Sequence, residues 1–462
     1  MSPLIRVRTG APTRTSAWTI TGLLLVFMLI NFADKAVLGL AAVQVMDELN
    51  LSPGAYGLVA SSFFFLFSLA ALVVGFVTNR VPTKWILITM AVGWSVAQLP
   101  MLLPIAGFWT LLVTRVLLGA TEGPAYPVAN HAAHKWFRDH DRDLASGILT
   151  IGAPIGVILG APVLGWIIGT YGWRAAFGVL GAVGLLWALV WAFVGKEGPV
   201  TDTLAGPDAR ADDPARAARD RSVPTWRILL TGTWLASVAG AFAAYWAVTI
   251  LVAWVPPYLS KVLGYDAQTT GTMVVLPWAA GALCIVGSGL VTKRLLRRGI
   301  SSRWARGVLG GGCVVVAGVA MLGIAVVQAD WARIMLLTIA FSIGGVVIPI
   351  GQATSAEICP TSRRGGVLGT WAAVYSASGI IAPALAGSLV GSAATPAAGY
   401  GMAFTVNGLL LIAAGLVFAI FVRPGRDRAR LAALATRTGH PASATPPTTE
   451  PATGTLRERN TT

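Results

Sequence analysis

The chain has 462 residues, of which 55% are hydrophobic and 11% are charged, and its formal net charge is +15. Soluble domains carry charge on about a quarter of their residues, so this composition excludes an ordinary soluble protein. With a mean hydropathy of +0.71, the chain is expected to cross a membrane several times.

Apolar stretches long enough to cross a bilayer recur about twelve times. They predict an all-α membrane protein with twelve transmembrane helices. The first stretch follows several arginines, as a signal peptide would, but at about 25 residues it is too long for one, so we interpret it as a retained span. The predicted spans cover residues 18–43, 55–77, 85–105, 108–130, 144–167, 173–195, 227–255, 270–292, 307–327, 332–354, 366–391 and 401–423.

The longest polar interruption, residues 196–226, is rich in Pro, Ala, Asp and Arg and has no apolar face. We interpret it as a flexible cytoplasmic linker between two six-helix halves, which would form a binding site between them near the middle of the membrane. The predicted organisation is a cytoplasmic N-terminal tail at 1–17, an N-terminal half at 18–195, the linker at 196–226, a C-terminal half at 227–423 and a disordered cytoplasmic tail at 424–462.

Basic residues are concentrated in every second predicted loop. With the N-terminus in the cytoplasm, the outside segments hold only Arg174, Lys261 and Arg333. The positive-inside rule then places both termini in the cytoplasm and predicts a multi-pass protein of the cell inner membrane. The basic excess reflects topology, so we expect no nucleic-acid partner. The inside loops hold Arg80, Lys84, Lys135, Arg138, Arg142, Lys196, Lys293, Arg294, Arg297, Arg298, Arg303, Arg306, Arg363 and Arg364.

Two charge pairs interrupt the predicted spans. Asp34 and Lys35 lie in the first span, and Arg115 and Glu122 lie in the fourth. A charge at the bilayer centre costs roughly 2.5–3.5 kcal/mol on insertion scales, so four of them need a function or mutual pairing. Seven residues of helix place Arg115 and Glu122 on one face about 10 Å apart. The pairs could simply hold helices in register, or they could exchange partners when a proton and a substrate bind.

The second half has no such charges on its spans, but it has aromatic and amide side chains suited to substrate contacts. The candidates are Tyr245, Trp246, Gln352 and Tyr375. Packing or a place at the membrane interface is the alternative role for each aromatic residue.

Four stretches carry a family resemblance. They are NFADKAVLGLAA in the first span, the loop GFVTNRVPTKW, RVLLGATEGPAYP in the fourth span, and WFRDHDRDLASG with the later GWRAAF. On these motifs the chain resembles the major facilitator superfamily over nearly its whole length. It looks most like the anion:cation symporter branch, which includes sugar-acid:proton symporters and vesicular glutamate transporters.

The resemblance implies roles for the charged residues. Lys35 and Arg115 would hold the substrate carboxylate, with Asn31 beside them, and Asp34 and Glu122 would carry the coupling protons. The loop after the second span would be a gate.

That gate would contain Asn79, Arg80 and Lys84. Its usual Asp is Asn79 here, its usual Gly is Pro82, and Lys293 stands near the Asp position of the equivalent second-half loop. The charged contacts of both loops are therefore expected to be weaker than in the family or built from different residues.

Three positions that hold hydroxyl-binding groups in sugar-acid members are changed. The family's Tyr, Gln and Asn correspond here to Phe67, Ala153 and Ala373. A site without these groups would leave buried substrate hydroxyls unpaired, at about 1–3 kcal/mol each. We therefore hypothesise a less hydroxylated substrate, an aromatic or aliphatic carboxylate.

The function that these observations favour is proton-coupled uptake of a small organic carboxylate by alternating access. The alternative is an antiporter or exporter of drug-like or anionic metabolites. An enzyme is disfavoured because the chain has no HExxH, GxSxG or P-loop motif. Its three cysteines show no CxxC spacing, so we expect no metal and no cofactor. Its partners would be the anion, protons and the lipid bilayer, and we expect a monomer.

Overall fold

A computed structural model describes residues 14–78, 80–137, 139–198, 224–360 and 363–438. All regular secondary structure in these ranges is helical. The first group of helices comprises α1 (Arg14–Leu40), α2 (Ala42–Glu48), α3 (Pro53–Val77), α4 (Thr83–Gln98), α5 (Phe108–Glu122), α6 (Ala125–His134), α7 (Asp139–Tyr171) and α8 (Trp173–Val194).

The second group follows the predicted linker. It comprises α9 (Thr225–Leu229), α10 (Gly232–Ala253), α11 (Val255–Lys261), α12 (Ala267–Met273), α13 (Val275–Arg297), α14 (Leu309–Val326), α15 (Asp330–Ile343), α16 (Val347–Glu357), α17 (Arg364–Ser376), α18 (Ser378–Ser392), α19 (Pro396–Phe421) and α20 (Pro424–Thr438). Short 3-10 turns at Leu99–Leu102 and Gly344–Val346 and a π-helical turn at Arg303–Val308 adjoin α4, α15 and α14.

The described ranges contain eleven helical segments long and apolar enough to cross a membrane. They coincide with eleven of the predicted spans. The predicted fourth span, 108–130, differs because it is divided into α5 and α6 at Gly123 and Pro124. Proline has no backbone N–H and its ring clashes with the preceding turn, so a continuous helix is interrupted there. The count of twelve spans and the cytoplasmic location of both termini stay predictions.

The predicted tail is not disordered throughout, because residues 424–438 form α20. Asp427 near the start of this helix is almost fully buried, and its Oδ2 accepts a hydrogen bond of 2.8 Å from the N–H of Thr233 at the start of α10. Burial raises the pKa of Asp427, but the hydrogen bonds from Thr233 and Arg426 outweigh it and lower the pKa below its ordinary value. Residues 1–13, 199–223 and 439–462 of the predicted tails and linker lie outside the described residues.

Helices from the two groups meet tightly at one end of the molecule. The Tyr56 hydroxyl is fully buried there, 3.1 Å from the carbonyl oxygen of Leu38 and 3.0 Å from that of Ala253. At Gly39 a Cβ atom would lie 1.8 Å from the carbonyl oxygen of Val252, so only glycine permits this approach of α1 to α10. We call this end, marked by these contacts, the closed end.

Candidate functional site

The centre of the candidate site is an ion pair between α1 and α5. Lys35 Nζ lies 2.9 Å from Glu122 Oε2, and the Glu122 side chain is completely buried. The same Nζ donates a hydrogen bond to Asn31 Oδ1, one turn earlier on α1. Lys35 remains partly exposed, at 14% of its side chain. The site therefore holds a partly exposed lysine side chain against a fully buried carboxylate.

Aromatic rings surround this ammonium group. Lys35 Nζ lies 4.6 Å from the ring centroid of Phe32, 5.8 Å from Phe63 and 5.9 Å from Phe67. Rings at these distances attract a cation through their quadrupoles, and more strongly where water is excluded. The rings themselves offer no hydrogen bond to a substrate hydroxyl, whereas the Asn31 amide beside the ammonium group is polar.

Asp34 and Arg115 lie deeper inside the first group of helices. Asp34 is fully buried and Arg115 is 3% exposed. The Arg115 guanidinium lies 4.8 Å from the Phe177 ring of α8, and Arg115 lies beside Gln98 and Thr114. The described salt bridges include none between Asp34 and Arg115. The predicted role of Lys35 and Arg115 in holding one substrate carboxylate stays a prediction.

The second group contributes phenol rings near the ion pair. The Tyr245 ring lies 6.0 Å from Phe64 of α3 and 5.1 Å from Tyr375 of α17. Tyr375 in turn contacts Trp371 at 4.7 Å. Phe64 also lies 5.8 Å from Phe67 on the same helix. A chain of aromatic contacts thus joins α3 to α10 and α17 and links Phe67 with two of the predicted substrate ligands.

Two predicted ligands do not join this cluster. Trp246 is buried in the apolar core, where its ring lies 6.1 Å from Phe242 on the same helix. Gln352 on α16 is exposed, and its amide makes no hydrogen bond within the described ranges. Both assignments remain predictions from sequence.

The predicted gate is described only in part, because Asn79 lies outside the described residues. Arg80 is exposed. Lys84 Nζ donates to the carbonyl of Ala192 at 2.7 Å, and the Lys84 N–H donates to Glu197 Oε1 at 2.8 Å. The gate lysine thus ties the start of α4 to the end of α8.

The sequence did not identify Glu197 as important. Its carboxylate also accepts hydrogen bonds of 2.8 Å from Thr83 Oγ1 and from Lys135 Nζ. Burial raises the pKa of Glu197, but the hydrogen bonds from Lys135, Lys84 and Thr83 outweigh it and lower the pKa below its ordinary value. One carboxylate therefore connects three segments of the first group at the end opposite the closed end.

A family model described as Major Facilitator Superfamily matches residues 23–349 and 299–460. The chain belongs to the Major Facilitator Superfamily, a family of transporters. The hexuronate transporter of Bacillus subtilis is 28% identical over 401 residues, covering 86% of this chain and 92% of that protein. The "Probable sulfoacetate transporter" of Cupriavidus necator is 27% identical over 419 residues, covering 88% and 93%. These relatives fit the anion:cation symporter branch that the motifs indicated.

The fold also matches solved transporters. A bacterial homolog of the human lysosomal transporter Spinster, in an inward-facing and occupied conformation, superposes with a TM-score of 0.71 and 18% identity. The match covers 92% of this chain and 98% of that one. At this identity the likeness establishes the fold alone.

Proposed function

We propose that this protein is a secondary transporter that takes up a small organic carboxylate together with protons by alternating access. The observation that carries the proposal is the Lys35–Glu122 ion pair, a partly exposed cation held against a fully buried acid. The relatives named for hexuronate and sulfoacetate transport support an organic anion as cargo.

The charges provide a route to coupling. With both acids ionised, Asp34, Lys35, Arg115 and Glu122 sum to zero, and an incoming anion meets a cation that already has a partner. When Glu122 is protonated, Lys35 loses that partner and a substrate carboxylate replaces it. The loaded site is again near neutral, which lowers the free energy of closing it within the membrane. The two helix groups then rock around the site and release both cargoes on the other side.

The surroundings of Lys35 favour a substrate with few hydroxyl groups. Phe32, Phe63 and Phe67 lie against its ammonium group. Tyr245 and Tyr375 stand on the facing helices. A flat or aliphatic acid packs its body against the phenylalanine rings, which cannot pair the hydroxyls of a polyhydroxylated acid.

The proposed orientation places the closed end outside. The basic side chains Lys84, Lys135 and Arg306 lie toward the other end, where the positive-inside rule places the cytoplasm. We propose that both termini are cytoplasmic, that the protein resides in the cell inner membrane, and that it works as a monomer. Labelling of single cysteines introduced at Asp47 and at Arg298 with an impermeant reagent in intact cells tests this, and labelling at Arg298 alone would overturn it.

The function is tested with purified protein in liposomes. Uptake of labelled glucuronate, sulfoacetate and 4-hydroxybenzoate is measured with and without an inward proton gradient, after subtraction of uptake by protein-free liposomes. We expect gradient-driven accumulation that a protonophore abolishes, with a hydroxyl-poor acid preferred over glucuronate. Accumulation driven by an outward proton gradient would favour the antiporter, and gradient-independent equilibration would exclude coupling.

A further inference from the structure

A second polar group of residues lies inside the first group of helices. Gln98, in the last turn of α4, is 2% exposed and lies beside Arg115. Its amide lies within reach of the Asp34 carboxylate of α1. The motifs of the sequence gave no role to Gln98, although it stands beside a proposed proton carrier.

The polar atoms of these two side chains are buried without good partners. Within the described ranges, neither oxygen of Asp34 and neither polar atom of the Gln98 amide has a hydrogen bond of good geometry. Leaving a buried polar group unpaired costs free energy. An apolar side chain of the same size would fill the space at lower free energy, so packing alone does not account for a glutamine here.

The chemistry of an amide suits an acid that changes protonation. An ionised carboxylate only accepts hydrogen bonds, whereas a protonated one also donates. The charged groups that act on Asp34 are Glu122, Arg115 and its neighbour Lys35. The two cations favour the ionised acid, and Glu122, when ionised, favours the protonated one. The Gln98 amide is neutral and offers both a donor and an acceptor, so it can pair with either state.

We propose that Gln98 is a positioning residue for the proton on Asp34. Its side-chain N–H group donates to the ionised carboxylate. When Asp34 is protonated, the Gln98 amide rotates so that its carbonyl oxygen accepts a hydrogen bond from the acid. The proton moves between solvent and an Asp34 oxygen, and Gln98 stays neutral throughout. This inference rests on the proposed proton coupling, in which Asp34 gains and loses a proton in each cycle.

Infrared difference spectroscopy on the full-length protein in liposomes tests the proposal without a substrate. The carboxylic acid band that disappears in Asp34→Asn is followed from pH 4 to pH 10. Donation to an ionised group is stronger than a neutral hydrogen bond, so loss of the amide disfavours the ionised form. In Gln98→Leu we expect the pH at which half of this band has disappeared, the midpoint, to move upward by about one pH unit. That is a tenfold change in the proton affinity of Asp34.

Two further variants separate positioning from packing. Gln98→Asn keeps the amide and is expected to restore the midpoint to within about half a pH unit. Ser95→Ala removes another buried and unpaired polar atom of α4 and should leave the midpoint unchanged. If Gln98→Leu does not fold, Gln98→Met serves in its place. An unmoved midpoint in the apolar variant, or an equal shift in Ser95→Ala, overturns the proposal.

The result is distinguishable from failure of the proposed function. If no Asp34 band titrates in the wild-type protein, proton carriage by Asp34 fails, and the inference fails with it. If the band titrates normally in Gln98→Leu while proton-driven uptake in liposomes is retained, the proposed function stands and only the role of Gln98 is refuted.

Discussion

Lys35 Nζ lies 2.9 Å from Glu122 Oε2, whereas the Arg115 guanidinium faces the Phe177 ring and forms no salt bridge within the described part of the chain. Two cations of the same helix group therefore have different environments. Lys35 is partly exposed and is paired with a fully buried acid. Arg115 is almost fully buried and packs against an aromatic ring of α8.

Replacing Glu122 by Gln should separate substrate movement from proton movement. The variant keeps the shape of the side chain but leaves Lys35 permanently without its anionic partner. We expect proton-driven accumulation in liposomes to fall at least tenfold, while exchange of labelled for unlabelled acid persists. Thr121→Val is the control, because Thr121 bonds only to carbonyls of its own helix. Undiminished accumulation in Glu122→Gln would remove Glu122 from the coupling mechanism.

Replacing Arg115 by Ala should weaken substrate binding strongly if this residue holds the carboxylate. Loss of a charge-assisted hydrogen bond and of its neighbouring charge is worth at least about 2–3 kcal/mol, or a 30- to 150-fold weaker affinity. Binding is measured by calorimetry with the acid that liposomes accumulate most. Arg115→Lys keeps the charge and should lose less. An unchanged affinity in Arg115→Ala would leave Lys35 as the residue that binds the anion.

Much of this arrangement was visible in the sequence, because apolar length fixes the spans and charges within them are rare. The mutual orientation of the charges was not visible. Helical spacing puts Arg115 and Glu122 on one face of α5, but it cannot show that Glu122 pairs with Lys35 of α1 while Arg115 packs on Phe177. That choice depends on how three helices cross.

Local composition misled the prediction at the C-terminus. The segment from 424 is polar and rich in alanine and arginine, which resembles a disordered tail. The contact that orders its first part joins Asp427 to Thr233, residues 194 positions apart. Glu197 was missed for the same reason, since its partner Lys84 lies 113 positions away. Such pairs form only after the helices have packed.

Replacing Gly39 by Ala should prevent the closed end from forming. The new Cβ would lie 1.8 Å from the Val252 carbonyl oxygen, so α1 and α10 would have to separate. We expect the initial rate of uptake to fall at least tenfold and a cysteine at Ala253, which is 5% exposed, to react faster with a polar maleimide. Gly22→Ala on the same helix is the control, because its Cβ meets nothing within 4 Å. Equal uptake rates and equal maleimide reaction rates in Gly39→Ala and Gly22→Ala would refute a role for this close approach.

The Glu197 cluster should make stability depend on pH. The pKa of Glu197 is lowered in the folded chain, so its stabilising effect is present at neutral pH and is lost as the pH falls from 4.5, the ordinary value, through the lower folded pKa. A third of the side chain is exposed, so screening limits the effect to about 0.5–1 kcal/mol. Glu197→Gln should lower the thermal unfolding midpoint in detergent at pH 7 but not near pH 3. Asp47→Asn, which breaks the exposed pair with Lys261, should change neither midpoint.

Replacing Phe67 by Tyr should shift substrate preference toward hydroxylated acids. Phe67 lies 5.9 Å from Lys35 Nζ, so a phenol at this position adds a hydrogen-bonding group beside the proposed carboxylate site. One good hydrogen bond contributes about 0.5–1.5 kcal/mol, which corresponds to a roughly two- to tenfold higher ratio of glucuronate to 4-hydroxybenzoate uptake. Phe76→Tyr, made on the same helix nine residues further on, controls for general effects of the hydroxyl group. An unchanged ratio in Phe67→Tyr would mean that the ring does not contact the substrate, and a wild-type preference for glucuronate would refute the hydroxyl-poor site itself.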